Sequence, residues 1–292
     1  MYSQIDSNKR KSVLLIGVFI VFVLFLGWFF GQLYDYGYGG LVIALVISTG
    51  LALVSYYQGD KVALLTAGAR SIAKEDNPYV YRLVENLAMT AGIPTPKVHL
   101  MADPAINAFA TGRDPAHASI AITTGAVEKL ENEELEGVIA HELSHVKNYD
   151  IRLMTIVIVL VGLIALLSDF FFRARFFGGG RRDNNNSGGV LLIIGVLLII
   201  LSPLIAKLIQ LAVSRKREFL ADASGALLTR YPEGLARALE KIAQEHLPTA
   251  RATTATAHLY FDNPLSPKLS LAKLFATHPP ISERVTALRS MA

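Results

Sequence analysis

The stretch 12-SVLLIGVFIVFVLFLGWFF-30 runs for nineteen residues without a charge. As an α-helix it would reach about 28 Å, close to the roughly 30 Å of a bilayer's hydrocarbon core. Lys9, Arg10 and Lys11 precede it, as basic residues precede the apolar part of a secretory signal peptide. It is too long for that role, however, and 31-GQLYDYGYGG-40 after it offers no A-x-A-like cleavage site. We read it as a retained membrane anchor. Leu41–Tyr57 is also uncharged, and Ile151–Phe172 and Val190–Val213 are nearly as apolar. The composition agrees, with 52% hydrophobic and 18% charged residues in 292. A mainly α, multi-pass membrane protein is the fold class these runs predict.

The formal net charge of +4 invites a nucleic-acid reading. A nucleic-acid binder carries its basic residues as a stripe or patch with interleaved aromatics, whereas here they flank the apolar runs, as topology determinants do. No nucleic-acid partner is expected; the bilayer is. The chain has no cysteine, which excludes disulfides and thiolate metal ligands. Any metal site must use histidine and carboxylate.

The runs divide the chain into an N-terminal transmembrane hairpin (1–57), a polar block (58–150), a second apolar hairpin (151–213) with an Arg- and Gly-rich loop at 173–189, and a C-terminal block (214–292). In the polar block, Arg70–Gly92 reads as an amphipathic helix region reset at Asn77-Pro78. Lys97–Met101 and Ser119–Thr123 read as strands, with a short one at Asn107–Ala110. Asn132 is the expected N-cap of a helix whose first turn carries Glu133, Glu134 and Glu136.

That helix holds 140-AHELSHVKN-148, an H-E-x-x-H arrangement. Four residues turn a helix by about 400°, so His141 and His145 share one face and can converge on one metal, with Glu142 within reach of a metal-bound water. The plain alternative is a solvated face with two surface histidines. Against it, the helix is expected to run straight on into the third apolar run, and a further ligand is available. Two histidines leave a catalytic zinc site one protein ligand short. In 214-SRKREFLADASGA-226, Glu218 can bind zinc, and Asp222, one turn on, can accept the N–H of a ligating histidine and set its tautomer. Read without a metal, the same segment is a charged juxtamembrane helix.

Together, 107-NAFATGRDP-115, 141-HELSHVKNYD-150, 214-SRKREFLADA-223 and 277-THPPISERV-285 resemble the HtpX-type membrane zinc metalloproteases, relatives of the CAAX prenyl proteases. The resemblance covers essentially the whole chain. It implies a zincin-like α+β catalytic domain, one zinc ion held by His141, His145 and Glu218, and Glu142 as general base. It also implies that Asn107 and Ala108 lie on an edge strand beside the substrate. His278 and Arg284 fall in the family's H-P-P-x-x-x-R pattern, where one of them can stabilise the oxyanion or fix the site's walls; a helix start with a packing arginine explains them as well. Ser144 stands where family members often carry glycine.

The function expected is zinc-dependent endoproteolysis of misfolded or damaged membrane proteins. The positive-inside rule puts the N-terminus and the catalytic domain in the cytoplasm, at the cell (inner) membrane. The alternatives are a non-catalytic membrane scaffold with a vestigial site and a prenyl-protein protease. The first does not need all four site residues, and four apolar runs are few for the chamber of the second.

Overall fold

The computed structural model describes residues 2–33, 37–162, 215–245, 247–253, 256–264 and 279–291. The rest of the third apolar run, the fourth run, the 173–189 loop and His278 lie outside these residues.

Among the described residues, two helices are long and apolar enough to cross a membrane: α1 (Tyr2–Leu33) and α2 (Gly39–Ala67). The helix of the second run therefore continues ten residues past Tyr57. Its buried face is Ala44, Ser48, Ala52, Ser55, Gly59 and Ala63, small residues at helical spacing. Lipid tails are as apolar as leucine, so helices associate in a bilayer where small residues let backbones approach. A Cβ on Gly27 of α1 would lie 2.6 Å from the carbonyl oxygen of Gly40 of α2. Val13, Val21, Val42, Ile43 and Val46 point outward, as a lipid-facing surface requires.

Beyond the membrane helices, β1 (Arg70–Ser71), β2 (Lys97–Met101), β3 (Ala108–Gly112) and β4 (Ala118–Thr123) form a sheet in the order β1-β2-β4-β3. β2 and β4 are parallel; β1–β2 and β3–β4 are antiparallel. Arg70–Ser71 pairs with His99 and Leu100 as a strand, and the helix expected across 70–92 begins only at Pro78, where Asn77 Oδ1 accepts the Val80 N–H. That helix, α3 (Pro78–Ala91), and α5 (Asn132–Lys147) pack on the sheet, with short α4 (Thr124–Lys129) between strand and helix.

Helix α5 starts where expected, but its N-cap is Glu131, not Asn132. Glu134 Oε2 accepts the Glu131 N–H at 2.8 Å, so the acidic first turn closes back on the residue before Asn132. At its other end α5 does not run on into the third apolar run. It stops at Lys147; Tyr149 takes a left-handed φ of 59°, and a new helix, α6, occupies residues 150–162. This break sends α6 between α1 and α2. There Ile156 and Leu160 meet Phe19, and Met154 and Ile158 meet Ala63 and Leu64. After the undescribed segment come α7 (Arg215–Thr229), α8 (Pro232–Glu245) and α9 (Ile281–Arg289). The fold is that of a mainly helical membrane protein with a small α+β unit built around α5 and the sheet.

Candidate metal centre

Helix α5 buries its second and third turns, so His141, Glu142 and His145 are all at most 4% exposed. Helix α7 crosses them and presents Glu218, Asp222 and Gly225 on one face, at steps of four and three residues. Gly225 is what permits the approach. A Cβ there would sit 3.0 Å from the His141 backbone nitrogen and 3.2 Å from its Cα. Glu218 and Asp222 are thereby brought against the two imidazoles while remaining 1% and 2% exposed.

His145 Nε2 lies 3.1 Å from His141 Nε2; Glu218 Oε2 is 3.7 Å from His141 Nε2, and its Oε1 is 3.7 Å from His145 Nε2. His141, His145 and Glu218 offer three ligand atoms within 4.8 Å of one another. Three donors bonded tetrahedrally to a small divalent metal at about 2.0–2.2 Å stand about 3.3–3.6 Å apart, so the spacing fits.

The far sides of the rings add a chemical argument. His141 Nδ1 is 2.8 Å from Asp222 Oδ1, and His145 Nδ1 is 3.1 Å from Asp150 Oδ2. The first contact is close but misses the alignment of a full hydrogen bond. A carboxylate beside each Nδ1 favours a proton there, and turns both Nε2 atoms toward each other and toward Glu218, free to ligate once a metal displaces any proton between them. Three such groups turned toward one point suit a shared positive charge.

The surroundings push the two rings in opposite directions. Burial pulls the His145 pKa down, but Asp150, Glu218 and Glu142 outweigh it and raise it to about 9. Burial lowers His141 to about 4, assisted by His145 and Arg284 and only partly opposed by Asp222. The opposed directions describe two rings competing for one positive charge.

Arg284 is fully buried and pairs with Asp222. Its Nε donates to Asp222 Oδ2 at 2.8 Å, Nη2 to Asp222 Oδ1 at 2.7 Å, and Nη1 to the Phe261 carbonyl at 3.3 Å. The Phe261 ring stands edge-on to His141, with centroids 4.9 Å apart. Strand β3 is at the sheet's edge, yet the Ala108 carbonyl already accepts the Phe261 N–H at 2.8 Å. Asn107 binds the same segment: its Nδ2 donates to the Asp262 carbonyl at 3.2 Å and its Oδ1 accepts the Asp262 N–H at 3.3 Å. Asn107 and Ala108 thus fasten residues 261–262 beside α5.

Asp150, Asn8 and Arg217 complete the surroundings; in the sequence Arg217 reads as a juxtamembrane charge, and Asp150 and Asn8 carry no assigned role. Asp150 closes the quoted 141–150 segment, but its position five residues after His145 matches no helical step. Only the left-handed Tyr149 folds it back onto that ring. Asn8 gives no signal beyond being polar before an apolar run.

Residues 74–292 match the model of Peptidase family M48. A "Protease HtpX homolog" of Dictyoglomus turgidum is 45% identical over 290 residues, covering 99% of this chain and 94% of the relative. The homologue of Tropheryma whipplei strain Twist is 45% identical over 295 residues, covering 100% and 98%. That of Listeria monocytogenes serovar 1/2a is 45% identical over 303 residues, covering 100% of both. Among solved structures, the crystal structure of S. mikatae Ste24p aligns with a TM-score of 0.52 at 19% identity, covering 99% of this chain and 67% of that one, a likeness of fold. With a buried His-His-Glu cluster that can hold a metal and two bilayer-length helices, the chain belongs to peptidase family M48, among the HtpX-type membrane metalloproteases.

Proposed function

We propose that the chain is a multi-pass zinc endopeptidase that cleaves misfolded or damaged membrane proteins at the cytoplasmic face, with His141, His145 and Glu218 as ligands and Glu142 as general base. The observation that carries the ligand assignment is the pair of facing Nε2 atoms, 3.1 Å apart, with Glu218 Oε2 3.7 Å from that of His141 and Oε1 3.7 Å from that of His145. An all-nitrogen-and-oxygen donor set with two imidazoles and one carboxylate suits zinc.

Bound there, zinc would polarise the scissile carbonyl and acidify a water molecule. Glu142 takes the proton from the attacking water and later delivers it to the leaving amine. Asp222 and Asp150 hold the two Nδ1 protons and so keep each Nε2 free to ligate. Arg284 holds Asp222 in turn.

The cytoplasmic assignment rests on α1. Its first turns carry Lys9, Arg10 and Lys11, and Asn8 Nδ2 donates to Asp150 Oδ1 at 2.7 Å. The basic flank and the metal cluster are therefore on one side of the membrane, the side that Lys and Arg favour. The site's position beside the N-terminal end of the α1 span suits substrates drawn from the membrane. In detergent, the purified chain should cleave casein, lose that activity to a chelator and regain it with zinc. In proteoliposomes it should cleave a destabilised membrane protein faster than the folded form. Equal rates would remove the substrate class, and activity that survives the chelator would remove the metal.

A further inference from the structure

The family match begins at residue 74, yet one of the two carboxylates that orient the histidines is held by residue 8. Asp150 turns Oδ2 toward His145 Nδ1; its Oδ1 accepts from Asn8 Nδ2 at 2.7 Å and from Arg217 Nη1 at 3.4 Å. Asn8 lies near the N-terminal end of the candidate membrane span Ile5–Phe29 in α1 and is 1% exposed. The same Nδ2 donates to the Asn148 carbonyl at 2.9 Å, satisfying an acceptor at the end of α5, while its Oδ1 faces Arg217 Nη1 at 3.5 Å. Lys9 adds a second contact, with its ammonium 4.5 Å from the centre of the Tyr149 ring, on the left-handed residue that folds Asp150 back. The amide's two donors and one acceptor are thus matched to a carboxylate, a helix-end carbonyl and a guanidinium in one buried place.

We propose that Asn8 is a positioning residue of the metal centre: by fixing the Asp150 carboxylate it fixes the His145 ring, which makes the first membrane helix a working part of the peptidase site. This rests on the reading of His145 as a zinc ligand. Without the amide donor, the Asp150 Oδ1 loses its shorter hydrogen bond, the carboxylate can rotate away from His145 Nδ1, and the imidazole is no longer held with Nε2 aimed at His141. Loss of such an outer partner typically weakens metal binding about 10- to 100-fold.

The test is zinc affinity of the full chain in lipid nanodiscs, measured by competition with a chromogenic chelator, with zinc alone as the probe. Asn8→Ala should raise the zinc Kd about tenfold. Asn8→Asp, which keeps the shape and removes the donor, should raise it at least as much; it decides the matter should the alanine variant not fold. Val13→Ala, on the outward face of the same helix, should leave Kd unchanged. In an Asp150→Ala background, Asn8→Ala should add nothing, because Asn8 acts through that carboxylate. An unchanged Kd in a folded Asn8 variant overturns the proposal, as does an Asn8→Ala effect that adds in full to Asp150→Ala, the pattern of a residue that merely docks the helix. Wild-type protein that binds no zinc defeats the metal assignment itself, a result separate from either.

Discussion

Replacing Arg284 by methionine removes a guanidinium that is fully buried against an equally buried carboxylate. Two charge-assisted hydrogen bonds to Asp222, at 2.7 and 2.8 Å, disappear, together with one to the Phe261 carbonyl. At about 1.5–3 kcal/mol for each bond to a charged group, the loss is about 3–6 kcal/mol. Breaking a buried ion pair by deleting one partner costs about 3–5 kcal/mol, which agrees. Burial raises the Asp222 pKa, but Arg284, and after it His141, overcome this and hold it at about 2 against an ordinary 3.8. A depressed carboxylate contributes stability that is fully present above pH 3.8 and lost as pH falls through 2. Without Arg284 the burial effect dominates, and the loss should move to higher pH. Thermal unfolding followed through Trp28 fluorescence, between pH 3 and 8, reads both effects. Arg284→Met should be several kcal/mol less stable at pH 7, and Asp222→Leu/Arg284→Met should recover much of the deficit, since deleting both partners leaves no unpaired charge. A deficit below about 1 kcal/mol, far under the cost of breaking a buried pair, would refute the reasoning, as would a double variant weaker than the single one.

Asp222→Ala should weaken zinc binding about 10- to 100-fold; an unchanged affinity in a chelator titration would detach Asp222 from the metal. Gly225→Val should push α7 off α5, costing about 1–3 kcal/mol and lowering zinc affinity, because the added carbons meet the His141 backbone; normal affinity would show that the helices can part without disturbing the ligands. Ser187→Cys tests whether residues 151–213 cross the membrane twice. The thiol should react with an impermeant reagent outside spheroplasts, and labelling only after lysis would place that hairpin on the cytoplasmic side.

Much of this architecture is legible in local pattern. The uncharged stretches mark α1 and α2, and the i, i+4 spacing alone puts His141 over His145 and Glu218 over Asp222. Alternating apolar residues mark β2 and β4. Three features escape such reading, each for a physical reason. Tyr149 adopts a left-handed φ that a non-glycine residue rarely takes, so the straight continuation of α5 failed there, and Asp150 could not be placed. Arg70–Ser71 is a strand only because β2 offers its edge, a tertiary cause. Asn8 is joined to Asp150 across 142 residues of chain, and no periodicity within one element encodes that contact.

In the mechanism proposed above, a buried His-His-Glu cluster holds the metal and a separate carboxylate, Glu142, moves the proton. Glu142→Gln and His145→Ala separate the two roles when zinc content and casein cleavage are measured on the same preparation. We expect one zinc per chain in the wild type and in Glu142→Gln, with cleavage in the glutamine variant reduced at least about 100-fold, the scale of a lost general base. His145→Ala should lack both metal and activity. A Glu142→Gln variant that keeps its zinc and cleaves casein at the wild-type rate would contradict the account.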